Sequence, residues 1–123
     1  MIYIISDNDG YNMKNKLIEL LDYDFIDLGS SIKTYNYHNI TNILCDKIID
    51  NDIGILICGL GIGNNIIANR HNHIRSILSN DIVSAKLARE KYNANVLSIS
   101  ERIIGIDLAC SIIKIFIETK YKS

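Results

Sequence analysis

Residues Gly54 to Arg70 read GILICGLGIGNNIIANR. An apolar run ends in Cys58, glycines follow at 59, 61 and 63, and the residues from Gly63 onward fit a helix. An uninterrupted apolar strand leading through a glycine turn into a helix marks a parallel sheet covered on both faces. The same succession recurs along the chain. IYIIS (Ile2 to Ser6) reads as a strand, followed by a helical stripe from Tyr11 to Leu21 through Met13, Leu17, Leu20 and Leu21. Phe25 to Leu28 reads as a short strand, Gly29 to Asn36 as loop, and Ile40 to Ile49 as a helix with Ile40, Ile43, Leu44 and Ile48 on one face. IRSIL (Ile74 to Leu78) precedes a helix from Asp81, whose carboxylate can cap it, and NVLSIS (Asn95 to Ser100) precedes a helix from Gly105. The closing KYKS reads as a frayed tail. Right-handed crossovers then predict a three-layer, doubly wound α/β fold, Rossmann-like, with a five-stranded parallel sheet and helices on both faces.

The 123 residues, 48% hydrophobic and 22% charged, suit one domain spanning the whole chain. A formal charge of −1 and a pI near 6.3 provide no basic field for nucleic acid or anionic lipid. No apolar run approaches the length that spans a bilayer, and MIYIISDNDG lacks the basic start and long apolar stretch of a secretory signal. Cys45, Cys58 and Cys110 are odd in number and widely spaced without a CxxC pair, which argues against disulfides or zinc and for a reducing, cytoplasmic setting.

In doubly wound sheets ligands bind at the carboxyl ends of the strands, so Asp7 to Gly10, Cys58 to Gly63 and Glu101 to Gly105 are expected on one edge. Gly59, Gly61 and Gly63 allow a sharp turn that leaves N–H groups pointing outward at a helix mouth, a geometry suited to oxyanions or phosphate. The spacing fits neither a dinucleotide fingerprint nor a nucleotide P-loop, so no nucleotide cofactor is expected. Cys58 has two readings, a small buried hydrophobe or a thiol whose pKa falls toward neutrality beside exposed amides; its position favours the second. Cys45 and Cys110 lie within helical stripes and are assigned to packing.

These motifs carry a resemblance. From ISDNDGYNMK through GILICGLGIGNNIIANR and IRSIL to SAKLAREKYNANVLSISERIIG, the chain resembles the ribose-5-phosphate isomerase B and galactose-6-phosphate isomerase family of sugar-phosphate isomerases. The resemblance implies proton transfer between C1 and C2 of an open-chain sugar phosphate through an enediolate, without metal or organic cofactor. Cys58 takes the role of base, and the stretch Gly59, Leu60, Gly61, Ile62 and Gly63 steadies the oxyanion. Asp7, which also reads as a helix cap, and Asn8 meet the sugar, while Arg102 meets the phosphate. Arg70 and Arg75 are weaker candidates that also read as solvated charges. The family shares its sites between subunits, implying a homodimer or a dimer of dimers in which Lys91, Tyr92 and Asn93 serve the neighbour's site.

The chain departs from the family at functional positions. The usual Asp-His is Asp7-Asn8, CGTG is CGLG through Leu60, and a His-Asn pair is Lys91-Tyr92, which makes Lys91 the candidate proton donor for ring opening. The sequence stops before the family's C-terminal arginines, leaving Arg102 with less help on phosphate. His38, His71 and His73 read as loop histidines, although His71 or His73 also fits a place in the pocket; sugar length is assigned to side chains from Thr34 to His38. Ribose 5-phosphate is the expected substrate. The alternatives are the cysteine-bearing subunit of a galactose-6-phosphate isomerase and a sugar-phosphate-binding relative without turnover.

Overall fold

The computed structural model describes residues 1–29 and 37–123. Among these residues β1 (Ile2–Ser6), α1 (Tyr11–Leu20), β2 (Phe25–Asp27), α2 (Tyr37–Lys47), β3 (Ile53–Cys58), α3 (Ile62–Ala68), β4 (Ser76–Leu78), α4 (Ile82–Tyr92), β5 (Val96–Ser100) and α5 (Ile106–Glu118) alternate. The strands pair in parallel in the order β2-β1-β3-β5-β4, which is the expected doubly wound sheet. The loop expected after Gly29 lies outside the described residues up to Asn36.

Strand order and helix placement follow from one rule. Crossovers from β1 to β2 and from β4 to β5 step one way across the sheet, and those from β2 to β3 and β3 to β4 step the other. Right-handed connections must therefore put α1 and α4 on one face and α2 and α3 on the opposite face. The two cores agree: Leu17, Ala85, Ala88 and the α5 residues Ile112, Ile113 and Phe116 pack with Ile4, Ile55 and Ile57, while Ile40, Leu44, Cys45 and Ala68 pack with Ile5, Leu56 and Cys58. Every residue of β3 and β5 is buried, so their apolar runs carry no strand-like alternation.

Several local expectations shift. The strand expected from Ile74 begins at Ser76, because Ile74 N–H bonds to the His71 carbonyl at 3.1 Å and Arg75 N–H to Asn95 Oδ1 at 2.7 Å, outside the ladder. α2 spans Tyr37–Lys47, with Ile43 exposed and Thr41 and Cys45 on its buried face; Ile48 is buried just beyond it. Leu20 is exposed, whereas Asp81 caps α4 as expected, accepting from Ser84 N–H at 2.7 Å. The tail is tied rather than frayed at Lys122, whose N–H bonds to the Glu90 carbonyl at 2.9 Å.

Lys14 is fully buried, a long charged side chain among the largest buried ones of the described residues. Its ammonium bonds to both Asp27 carboxylate oxygens at 2.8 Å and to the Gly29 carbonyl, with the Tyr11 ring centroid 5.0 Å away. The pair clamps α1 to the end of β2, and its two members are not equivalent, since an unpaired buried charge costs more than an apolar replacement. Asp27→Ala is expected to destabilise by about 3 kcal/mol by urea unfolding, and Lys14→Met by clearly less. Equal losses would mean that the ammonium finds water when its partner is removed.

Candidate active site at the carboxyl edge of the sheet

Because β1, β3 and β5 are adjacent and parallel, the loops after them meet on one edge. The chain steps in opposite directions from β1 and β3, which makes the crevice between their carboxyl ends the switch point of the sheet. Backbone bonds stitch the loops together: Asp7 N–H to the Ile57 carbonyl at 3.3 Å, Glu101 N–H to the Cys58 carbonyl at 2.8 Å, and Arg102 N–H to the Gly59 carbonyl at 3.0 Å. They border a cleft of about 290 Å³ lined by Asp7, Asp9, Tyr37, Cys58, the 59–64 turn and Arg102.

The turn is held from behind. Gly61 has φ 79°, and a Cβ there would stand 2.7 Å from Leu78 Cδ1 and 3.1 Å from the Ser98 and Ser100 hydroxyls, so both backbone angle and space require glycine. Ser100 donates to the Leu60 carbonyl, Ser98 donates to the Gly61 carbonyl at 3.0 Å, and Asn64 Nδ2 donates to Ser98 Oγ at 2.9 Å. In a trans peptide the carbonyl and the following N–H point opposite ways. Drawing these carbonyls toward the sheet therefore turns the Gly61 and Ile62 N–H groups toward the cleft that both residues line. With seven residues, α3 adds little dipole, so what its N-cap Gly61 and first residue Ile62 offer is their own two N–H groups. Gly63 serves close approach, because the Tyr37 ring lies 2.7 Å from where a Cβ would be.

Cys58 ends β3 with its side chain almost fully buried but bordering the cleft. The expected fall in its pKa is corrected: burial, then the Asp7 carboxylate, pushes the thiol above its ordinary range, and the Asp7 backbone N–H only partly opposes this. Asp7 is itself raised, chiefly by burial, although its carboxylate accepts from Gly10 N–H at 2.9 Å and Gly59 N–H at 3.4 Å. Asp7 therefore lines the cleft but does not cap α1, whose N-cap is Gly10 without a side-chain bond; the amide it engages precedes the helix. Arg102 Nη2 donates to Asp9 Oδ2 at 2.7 Å.

Other candidates lie elsewhere. Asn8 is exposed and does not line the cleft. The end of α4 is at the opposite edge of the sheet, where Lys91 is exposed and Asn93, in a left-handed conformation at φ 53°, caps the helix while its carbonyl accepts from Arg75 Nε at 2.6 Å. Neither residue reaches the cleft of its own chain. Arg70 is exposed beyond α3, and Arg75 and His73 border a depression of about 510 Å³ at that opposite edge. His71 meets Asn42 at 2.9 Å, His73 meets the Cys45 carbonyl at 2.8 Å, and His38 stacks on Tyr37 at 4.8 Å. Of the stretch assigned to sugar length, Thr34 to Asn36 lie outside the described residues and Tyr37 lines the cleft. Asn64, Ser98 and Ser100 went unread in the sequence, where the signal was polar residues inside otherwise apolar runs, and Asp9 was read only as part of the stretch Asp7 to Gly10.

The sequence model of the ribose/galactose isomerase family matches residues 2–123. The chain belongs to that family. Its relatives include a putative sugar phosphate isomerase of Bacillus subtilis, 36% identical over 98% of this chain and 85% of that protein. The ribose 5-phosphate isomerase of Thermotoga maritima superposes with TM-score 0.91 at 35% identity, covering 98% of this chain and 87% of that one. Ribose-5-phosphate isomerase B of Mycoplasma genitalium, solved with bound ribulose-5-phosphate, superposes with TM-score 0.91 at 29% identity over 99% and 86%. As a family member the chain is a sugar-phosphate isomerase, and the edge that carries Cys58 and its glycine turn is where its chemistry is sought.

Two outcomes check this geometry. With iodoacetamide and peptide mapping, Cys58 is expected to react more slowly than the less buried Cys110 around pH 8.5 and to quicken only at higher pH, while Asp7→Asn moves its profile to lower pH. A Cys58 half-modified near neutral pH would overturn the raised pKa. Ser98→Ala is expected to leave the fold intact but to lower kcat about tenfold with little change in KM, since it leaves the Gly61 carbonyl held by the Asn65 N–H alone rather than removing a ligand contact.

Proposed function

We propose that this chain interconverts ribose 5-phosphate and ribulose 5-phosphate, with Cys58 as the base. The carrying observation is a thiol at the end of β3 in the cleft that Gly61 and Ile62 also line, with the carbonyls of Leu60 and Gly61 that precede their N–H groups held from behind. In the forward step the Cys58 thiolate takes the proton from C2 of the open-chain aldose. The bonding pair forms the C1–C2 double bond, and the charge collects on O1 before the turn amides. Return of the proton to C1, with the O2 proton passing to O1, gives the ketose. Asp7 orients sugar hydroxyls, Tyr37 walls the cleft, and Arg102 meets the phosphate. The raised thiol pKa makes the reactive thiolate scarce at neutral pH, so kcat/KM rises with pH in the alkaline range.

A second copy completes the site in this reading, bringing Lys91 and Asn93 to a cleft their own chain places out of reach. Leu60, Ile62 and Ile66 are 48%, 51% and 54% exposed on and after the glycine turn, and Val83 and Leu87 are exposed on α4, apolar side chains whose exposure is consistent with burial between copies. The free cysteines fit a reducing cytoplasm. A galactose-6-phosphate isomerase subunit of Clostridium acetobutylicum is 44% identical over 71 residues, 58% of this chain and 41% of that protein. It supports a second reading, in which this chain is the cysteine-bearing half of a two-subunit enzyme.

Purified protein with ribose 5-phosphate in D2O, followed by NMR, is expected to form the ketose and to place deuterium at C2 of the recovered aldose. Cys58→Ala is expected to fold and to lose about two to four orders of magnitude in rate. Full turnover by that variant would remove Cys58 as the base, and a silent wild-type protein that still binds the sugar phosphate would favour the two-subunit reading.

A further inference from the structure

We propose that Asp9 is a built-in competitor of the substrate's phosphate, a carboxylate that occupies the Arg102 guanidinium in the empty cleft and screens out free inorganic anions. The inference rests on the reading of Arg102 as the phosphate contact and adds a determinant of selectivity to it. Arg102 is the only basic side chain lining the cleft among the described residues, whereas two carboxylates, Asp7 and Asp9, line it. The carboxylates differ in what holds them. Asp7 is engaged by the Gly10 and Gly59 amides, but the hydrogen-bonding partner recorded for the Asp9 carboxylate is Arg102, at 2.7 Å.

The pair stands against the start of the glycine turn, on the wall of the cleft rather than on a remote rim. A Cβ built on Gly59, the residue after Cys58, would lie 2.7 Å from Asp9 Oδ2 and 3.2 Å from Arg102 Nε. A carboxylate and a phosphate present the same pair of oxygens to a guanidinium fork, so an entering phosphate must take donors from Asp9 or bind beside its negative charge. At 48% and 59% side-chain exposure the ion pair does little for the fold, which leaves Asp9 free to yield. A sugar phosphate gains contacts along the turn that repay displacement of Asp9. Inorganic phosphate at the guanidinium lacks the contacts of a sugar along the turn and is held off. Asp9 thereby lowers affinity for all phosphates and lowers it most for those without a sugar.

The test measures inorganic phosphate binding by calorimetry, together with its inhibition constant against ribose 5-phosphate turnover, in wild type, Asp9→Asn, Arg102→Ala and the double variant. Asp9→Asn is expected to bind inorganic phosphate about tenfold more tightly, to lower KM about threefold without a matching rise in kcat, and to keep its thermal midpoint. In the Arg102→Ala background the Asp9 substitution is expected to recover less than half of that gain. Unchanged or weaker phosphate binding in Asp9→Asn, with binding lost in Arg102→Ala, would overturn the competitor role and leave the phosphate contact standing. Undiminished phosphate binding in Arg102→Ala would overturn the contact and the competitor together.

Discussion

Two peptide planes carry the site. Ser100 and Ser98, buried on β5, hold the carbonyls of Leu60 and Gly61 toward the sheet, and planarity then turns the N–H groups of Gly61 and Ile62 to the other side. The donors are preorganised because their carbonyls are already bonded, so little reorganisation is needed when charge develops before them. This requires β5 to lie beside β3, since the hydroxyls reach the turn only from the neighbouring strand. The doubly wound order, with β5 inserted between β3 and β4, is therefore a condition of the turn's geometry as well as of core burial.

Electrostatics at the same edge runs against easy ionisation. Cys58 is buried, Asp7 stands beside it, and Asp9 occupies the Arg102 guanidinium that lines the cleft. The resting site holds a protonated thiol, and its thiolate is reached at a cost set by burial and by the Asp7 charge. In the proposed reaction the amides at the turn lower the energy of charge on the substrate's oxygen, not of charge on sulfur. A site that stabilised the thiolate strongly would have a weaker base.

The strand and helix succession was legible in the chain because buried strands leave apolar runs and amphipathic helices leave stripes. Asp81 was legible as a cap because N-capping is local, and the Cys58 turn because three alternate glycines after a strand have few other uses. Lys14 was not, since a lysine on an amphipathic helix reads as solvent-facing until Asp27 and Gly29 close over it. Ser98, Ser100 and Asn64 were likewise hidden, because a serine in an apolar strand reads as a tolerated substitution until the carbonyl opposite it is known.

Sequence alone determined the fold class, the glycine turn and the identity of the thiol, all of which rest on neighbours a few residues apart. Tertiary structure decided the ionisation of Cys58, the aim of the turn amides, the pairing of Asp9 with Arg102 and the separation of Lys91 from its own cleft. The physical reason is range. Propensity and capping act along a few residues of chain, whereas desolvation and charge pairing depend on which distant segments the sheet brings within a few ångströms.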